Sequence, residues 1–224
     1  MTAKPGKRGR PRAYDPAAAL EQARLSFWNA GFAATSLDEL SAATAKNRPS
    51  LYAAFGDKEA LYLKTLDGYR DLARRGMKEA LAPDLPLAEG LRRVYQSALG
   101  MYLPPGQKPR GCFMIGTAVT EAVRDDAVRA SLAEGLGEID RAFEARFRQA
   151  RDEGELPADA DPAALARLAS GVLYFLAVRS RAGEPRAALE ATAEAGVALL
   201  TGNTSRPRRK AASRPARKRS GSTR

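Results

Sequence analysis

The feature that most constrains the fold of this chain is a long succession of helix-favouring segments between residues 15 and 201, separated by prolines. Alanine, leucine, glutamate and arginine dominate these segments, and runs of β-branched residues are missing. Proline removes a backbone hydrogen bond and clashes with the preceding turn, so prolines mark where helices end. The breaks fall at Pro83, Pro86, Pro104, Pro105, Pro109, Pro157, Pro162 and Pro185. The pattern predicts an all-α fold.

Capping signals divide the first part of the chain into four helices. Asp15 followed by Pro16 is typical of a helix start, because the acid accepts from free backbone amides and proline suits the first helical position. Ser36 and Glu39 are placed to form a capping box, and Gly56 is placed to end a helix. We expect helices over residues 16–31, 37–44, 48–55 and 58–81.

The rest of the chain predicts five more helices, at residues 86–103, 112–123, 126–153, 161–182 and 185–201. The predicted organisation begins with a basic disordered arm at residues 1–13 and a helix-turn-helix domain at 14–57, extended by the linking helix 58–81. A C-terminal helical domain follows at 82–203, and a basic disordered tail occupies 204–224.

The net charge of +11 is concentrated at the two ends of the chain. Residues 1–13 carry five basic residues and residues 204–224 carry nine, with no acid in either, so the part between them has a net charge of −3. Two basic tails on a mildly acidic body favour nucleic acid as the polyanionic partner. The alternative is that both tails are simply solvated, disordered ends. That interpretation accounts for charged residues there, but not for the absence of acidic residues from both tails.

An enzyme is disfavoured because the chain contains no histidine. Ser-His-Asp and Cys-His catalytic sites, and metal sites that need imidazole, are therefore excluded. One cysteine cannot hold a structural zinc ion, and no complete glycine-rich phosphate-binding motif occurs. We expect no cofactor and no bound metal.

Three features predict a cytoplasmic protein without membrane contact. A single cysteine, Cys112, fits a reducing compartment. The basic start of the chain runs into charged sequence, so no signal peptide is visible. The longest apolar run, at residues 168–178, is too short to span a bilayer.

Two short predicted helices, 37–44 and 48–55, with a brief turn between them indicate a helix-turn-helix. In this motif the second helix enters the major groove and the first crosses the DNA backbone. Arg48, Ser50 and Tyr52 supply a charged fork and hydroxyls that can reach bases or phosphates. Because helical hairpins are common in all-α proteins, the particular residues decide the interpretation.

Those residues resemble a known family. Thr35-Ser36-Leu37 with Leu40, followed by RPSLYAAFGDKEAL at residues 48–61, is similar to the signature of the TetR family of bacterial transcriptional regulators (AcrR-like). The resemblance covers roughly residues 13–70. It implies an all-helical homodimer with an N-terminal DNA-binding domain and a C-terminal ligand-binding and dimerisation domain. Palindromic double-stranded operator DNA and a small-molecule effector are the implied partners.

Carried over by position, the resemblance implies DNA contacts from Thr35, Ser36, Lys46, Asn47, Arg48, Pro49, Ser50, Tyr52 and Lys58. The turn departs from the family pattern, with Ala45 where glycine is usual and Lys46 where an apolar anchor is usual. If position 45 requires a positive φ, alanine there costs on the order of 1 kcal/mol. Lys46 could lay its stem on the core and direct its ammonium towards phosphate.

The N-terminal arm carries a second DNA-binding pattern. Arg8, Arg10 and Arg12 lie in the segment KRGRPR at residues 7–12, which resembles an AT-hook core. Proline keeps such a segment extended, and narrow A-tract minor grooves attract arginine. A basic leader that contacts phosphates only is an equal alternative, and both interpretations predict DNA contact by the arm.

Two apolar stripes in the last two predicted helices indicate a dimer bundle, because small residues among them permit close helix approach. A monomeric core would suit the stripes equally, and the family resemblance favours the dimer. The predicted interface residues are Leu165, Leu168, Val172, Leu176, Leu189, Ala193, Val197 and Leu200.

Aromatic and methionine side chains in the middle helices are candidates to line an apolar effector cavity. Taken singly, each side chain fits an ordinary core better, and the family resemblance favours a cavity without identifying the residues that line it. The candidates are Tyr95, Met101, Tyr102, Phe113, Met114, Phe143, Phe147, Tyr174 and Phe175.

Cys112 follows a proline break and is expected at a helix N-terminus. The helix dipole, Lys108 and Arg110 would favour its thiolate, so a thiol sensor is conceivable. A lone cysteine is more often inert and buried, and we favour that interpretation.

The sequence therefore predicts a dimeric transcriptional repressor that a small molecule releases from DNA. An architectural DNA-binding protein with little sequence preference is the alternative, supported by both basic tails. An unrecognised helical enzyme ranks third, because no catalytic constellation is present.

Overall fold

The structure, a computed structural model, describes residues 15–202. These residues form helices and no strand, which confirms the predicted all-α fold. The helices are α1 (Pro16–Ala30), α2 (Leu37–Thr44), α3 (Arg48–Phe55), α4 (Lys58–Ala80), α5 (Leu87–Tyr102), α6 (Val119–Glu121), α7 (Asp126–Asp152), α8 (Pro162–Arg181) and α9 (Arg186–Leu200). The predicted arm with Arg8, Arg10 and Arg12, and the predicted tail at 204–224, lie outside the described residues.

Side-chain caps explain where the N-terminal helices begin. The Ser36 hydroxyl accepts from the amide of Glu39 at 3.1 Å, while the Glu39 carboxylate accepts from the Ser36 amide at 2.6 Å. This capping box satisfies two amides that the helix leaves unpaired. The side chains of Asp15, Asn47 and Asp57 each accept from first-turn amides of α1, α3 and α4, without a reciprocal partner. These cap residues therefore mark where the first four helices begin.

The segment predicted as a helix at residues 112–123 differs from the prediction. A five-residue π-helix, Met114–Ala118, leads into the short helix α6. A π-helix has one more residue in each hydrogen-bonded turn than an α-helix, and apolar periodicity does not distinguish the two over so short a segment. The Thr117 hydroxyl, inside the π-helix, lies 2.6 Å from the Tyr62 hydroxyl of α4 and joins the two elements.

Helix α8 is the central helix of the C-terminal domain. It is long and apolar enough to cross a membrane by length and composition alone, with a mean hydropathy of 1.3 over its most apolar window. In the structure it packs against α5, α7 and α9 and buries Ala169, Leu173 and Leu176. A core helix of a helical domain has the same composition, because it is apolar on more than one side.

Candidate DNA interface and ligand cavity

Helix α3 presents one side to the core and the other to solvent. Leu51 and Phe55 are buried against the neighbouring helices, at the spacing that places them on one face. The exposed side carries the predicted contact residues Arg48, Pro49, Ser50 and Tyr52, and the Tyr52 side chain is 45% exposed. The structure thus brings these four residues together on one accessible surface.

Arg48 is not an isolated cation on that surface. Its Nε donates to Asp38 Oδ1 at 3.0 Å and its Nη2 donates to Asp38 Oδ2 at 2.6 Å. The carboxylate raises the pKa of Arg48, first through these hydrogen bonds and then through its charge. The pair joins the start of α2 to the start of α3 and places a carboxylate beside Arg48 on the exposed surface.

The turn between α2 and α3 depends on Ala45. Its backbone has φ +52° and ψ +37°, and it is the only non-glycine residue with a positive φ within residues 15–202. The condition stated for this position, a positive φ, is met in the structure. A left-handed backbone brings Cβ close to a carbonyl, so alanine is strained here. Lys46 follows, half-buried, and its amide donates to the Ser41 carbonyl at 3.0 Å.

Thr35 differs from its prediction as a DNA contact. Its side chain is only 1% exposed, and its hydroxyl donates to the Gly31 carbonyl at 2.6 Å. The hydroxyl therefore stabilises the end of α1 and is not presented to a ligand outside the domain. Ser36 beside it is exposed, although its hydroxyl caps α2.

Lys58 and Asn47 lie at two helix starts near α3. The Lys58 ammonium lies 4.4 Å from the centre of the Phe32 ring, an attractive arrangement that holds the cation at the start of α4. The Asn47 side-chain oxygen accepts from the Ser50 amide at 2.9 Å, so its amide nitrogen is the group left to face outwards.

A cavity of about 660 Å³ lies between α4, α5, the π-helix, α7 and α8. Four of the predicted lining residues contribute to its wall: Met101, Tyr102, Met114 and Tyr174. Four others, Tyr95, Phe113, Phe143 and Phe147, are fully buried elsewhere in the core. Phe175 is 42% exposed on the outer side of α8, because adjacent helical residues point about 100° apart.

The sequence interpretation missed the residues of α4 on this cavity wall, and on α7 it predicted Phe143 and Phe147 where other residues line the cavity. Tyr69, Arg70 and Met77 of α4, and Glu138 and Ile139 of α7, form part of its wall. Arg70 Nη2 lies 2.8 Å from Glu138 Oε1, which ties α4 to α7. In the sequence, only the spacing of apolar residues on α4 indicates a buried face. That spacing does not show which elements, or which cavity, the face lies against.

Cys112 lines the cavity but is not activated. The thiol is 7% exposed and the Tyr69 hydroxyl lies 3.4 Å from Sγ. Burial raises the pKa of Cys112 and outweighs the amides of Met114 and Ile115 at the start of the helical segment. The Arg110 guanidinium stacks on Trp28, 4.1 Å from the centre of its ring. Arg110 is therefore engaged with an aromatic ring and does not act as the counter-ion of the thiol.

The loop that carries Cys112 also contacts α1. Trp28 of α1 is buried, and its Nε1 donates to the Gly111 carbonyl at 3.1 Å. The Trp28 ring packs edge-on against Tyr69, with the ring centres 5.2 Å apart. Trp28 of α1 is therefore hydrogen-bonded to the residue that immediately precedes Cys112, a residue of the cavity wall.

The predicted dimer residues fall into two groups. Leu168 is 62% exposed, and Leu165 and Val172 are half-buried. The others are buried within this one chain, where α8 and α9 pack together: Leu176, Leu189, Ala193, Val197 and Leu200. This is a correction, since those five side chains already belong to the core. The apolar face left open on α8 and α9 consists of Leu168, Phe175, Val178 and Leu199.

Two family descriptions match the chain. Residues 19–65 match "Bacterial regulatory proteins, tetR family", and residues 88–195 match "Tetracyclin repressor-like, C-terminal domain". The chain is 31% identical over 176 residues to the HTH-type transcriptional repressor ComR of Escherichia coli (strain K12), covering 79% of this chain and 84% of that protein. It is 28% identical over 160 residues to the uncharacterized HTH-type transcriptional regulator YezE of Bacillus subtilis (strain 168), covering 71% and 82%.

Solved structures agree with these matches. A cysteine mutant of the TetR family transcriptional regulator CifR, complexed with 26-base-pair double-strand operator DNA, shares 34% identity with a TM-score of 0.76, over 84% of this chain and 98% of that one. A TetR regulatory protein from Rhodobacter sphaeroides shares 25% identity with a TM-score of 0.72, over 80% and 95%. With the helix-turn-helix geometry above, these matches show that the chain is a DNA-binding transcriptional regulator and belongs to the TetR family.

Proposed function

We propose that this regulator is a cytoplasmic homodimeric repressor that binds a palindromic operator through α3 and releases it when a small molecule occupies the cavity. The observation that carries the proposal is the position of α4. Only two residues separate this helix from the end of α3, and further along it lines the cavity with Tyr69, Arg70 and Met77. No catalytic role forms part of the proposal.

The exposed side of α3 is the proposed reading surface. Arg48, Ser50 and Tyr52 are accessible on one side of a helix whose other side is anchored by Leu51 and Phe55. Arginine and hydroxyl side chains in the major groove bind base edges and phosphates. Ser36, Lys46, Asn47, Pro49 and Lys58 lie at the neighbouring helix ends and turn, where backbone contacts would position α3.

The open apolar face of α8 and α9 is the proposed dimer contact. Leu168, Phe175 and Val178 recur on one side of α8, and Leu199 of α9 is 70% exposed. Large apolar side chains clustered on a surface favour a protein partner. A second copy of this face would complete a four-helix bundle around a twofold axis. Leu165 and Val172, half-buried beside it, would lie at its edge.

Ligand occupancy would act on DNA binding through α4 and through the Trp28 junction, the contacts of Trp28 with Gly111 and Tyr69. A molecule between α4 and α7 shifts the wall formed by Tyr69, and Tyr69 packs on Trp28 of α1. A small tilt of α4 changes the separation of the two α3 helices in a dimer. A typical coupling of about 1–3 kcal/mol lowers operator affinity by about 5- to 150-fold. Linkage requires the operator to weaken ligand binding by the same factor.

The test is a double variant of the reading surface. We expect Arg48→Ala with Tyr52→Ala to lose about 1–3 kcal/mol for each base contact on an operator selected from random duplexes, and to lose far less on random DNA. Arg148→Ala, which removes one exposed arginine from α7, is the charge-matched control and should retain operator affinity. Full operator affinity in the double variant would exclude α3 as the reading helix.

A further inference from the structure

We propose that the cavity ligand is an uncharged, mostly apolar molecule with one oxygen acceptor, which the Tyr174 hydroxyl binds. This inference rests on the proposed function, because it takes the cavity as the effector site. Neither the fold nor the family match gives the charge or the polar group of the effector.

The apolar part of the ligand follows from the cavity wall. Most of the side chains on α5, α7 and α8 that line it are aliphatic or thioether groups, including Val94, Met101, Ile139 and Leu173. With a volume of about 660 Å³, the cavity lies within the range that holds drug-sized organic molecules. Apolar ligand surface gains free energy there by leaving water.

The absence of ligand charge follows from how the ionic groups on the wall are paired. Arg70 Nη2 lies 2.8 Å from Glu138 and 2.9 Å from Glu134, and Arg146 Nη2 lies 2.6 Å from Glu155. A charged ligand would need a counter-ion that these pairs already use, and an unpaired buried charge is costly. Four further charged residues that line the cavity are exposed to solvent, which screens their charge: Arg74, Arg75, Lys78 and Glu79.

The acceptor follows from hydrogen-bond donors on the wall that have no partner. Within residues 15–202, four buried polar atoms of cavity-lining residues make no hydrogen bond: Tyr174 Oη, Arg70 Nε, Arg146 Nε and Arg146 Nη1. The three nitrogens can only donate, and the tyrosine can donate. A buried donor without a partner is unfavourable, so a ligand oxygen that fills this role gains affinity.

Among the described tyrosines on the wall, Tyr174 is the one whose hydroxyl has no partner at hydrogen-bonding geometry, although burial raises its pKa and the Ser170 hydroxyl beside it acts to lower it. The Tyr69 hydroxyl donates to Cys112 Sγ, and Tyr102 also hydrogen-bonds that thiol. Ser170, one turn before Tyr174 on α8, donates its own hydroxyl to Asp140 at 2.5 Å.

Four naphthalenes of similar size test the proposal by calorimetry on the full chain. Acetylnaphthalene carries an uncharged carbonyl, ethylnaphthalene has no acceptor, naphthoate is an anion, and naphthylmethylammonium is a cation. We expect acetylnaphthalene to bind about tenfold more tightly than ethylnaphthalene, the factor that one hydrogen bond to a buried donor supplies. Both ions should bind more weakly than ethylnaphthalene.

Two variants assign the effect to one hydroxyl. Tyr174→Phe should abolish the tenfold preference for acetylnaphthalene while leaving ethylnaphthalene affinity and operator binding unchanged. Tyr102→Phe, the matched control, should keep the preference. Equal binding of the two uncharged compounds, a preference that survives Tyr174→Phe, or tightest binding of an ion would overturn the proposal.

The outcomes also separate this inference from the proposed function. If none of the four compounds binds while the chain still binds a selected operator, the ligand class is wrong and the repressor function stands. If the predicted order of affinities appears but the chain selects no DNA site, the ligand class stands and the repressor function fails.

Discussion

Asp38 and Arg48 form a two-pronged ion pair between α2 and α3, at 2.6 and 3.0 Å. Both side chains are exposed, so the pair contributes little to the free energy of unfolding. Its expected consequence concerns DNA, because the Asp38 carboxylate lies beside the first arginine of α3, the proposed reading helix.

We expect Asp38→Asn to tighten DNA binding by about two- to fivefold at low salt, on operator and random DNA alike, because it removes a negative charge from the DNA-facing surface. Glu144→Gln makes the same change of charge on α7 and should have a smaller effect. Binding titrations at several salt concentrations measure both variants. A loss of affinity in Asp38→Asn would show that Asp38 is needed to orient Arg48.

Ala45→Gly should stabilise the protein by about 1 kcal/mol, since glycine adopts the left-handed backbone of this turn without a Cβ penalty. Ala43→Gly, two residues earlier and inside α2, should destabilise it by about 0.5–1 kcal/mol. Urea unfolding of both variants gives the comparison. Destabilisation of the same size at both positions would mean that position 45 does not require the left-handed conformation in solution.

Gly111→Ala should lower the free energy of unfolding by about 2–4 kcal/mol and disturb the Trp28 junction. A methyl group there would lie 2.5 Å from the Ala177 carbonyl, and φ is +64°, so steric overlap adds to backbone strain. Gly106→Ala has a similar φ of +68° and open space around it, so it should cost only about 1 kcal/mol. Urea unfolding measures the difference. Fluorescence of Trp28, the only tryptophan of the chain, should shift in Gly111→Ala alone. Equal costs at the two glycines would contradict the close approach to α8.

Cys112 should react slowly with iodoacetamide in the folded protein. Burial raises the pKa of Cys112, so the folded protein holds less of the reactive thiolate at pH 7 than the unfolded chain, and the rate should rise only as the pH approaches the raised pKa. The urea-unfolded chain is the control and should react at the rate of a free thiol. We also expect operator release by the natural effector to survive Cys112→Ser. Rapid labelling of the folded protein at pH 7 would instead support a thiol sensor.

The features predicted well from the sequence are local ones. Helix starts at Asp15, Ser36 and Asp57 depend on a side chain and amides two or three residues away, so a short stretch of sequence specifies them. The left-handed turn at Ala45 is also local, and comparison with a family glycine position indicates its strain on the condition that φ is positive there.

The features predicted poorly depend on how each helix is rotated against its neighbours. Tyr174 and Phe175 are adjacent, yet one lines the cavity and the other faces outwards. Helix α8 is apolar on several sides, so periodicity could not show which side belongs to the core and which is open. Thr35 was assigned to DNA by position, but its burial follows from the bend between α1 and α2.

Footprinting of the full chain on DNA selected from random duplexes tests the central claim most directly. A dimer that reads DNA with two α3 helices should protect one discrete site with twofold symmetric half-sites, their centres roughly one or two turns of DNA apart. The Arg48→Ala, Tyr52→Ala variant should lose that protection. Diffuse protection that spreads along the DNA with protein concentration, unchanged in the variant, would contradict a sequence-specific repressor and support an architectural protein that binds through its basic tails.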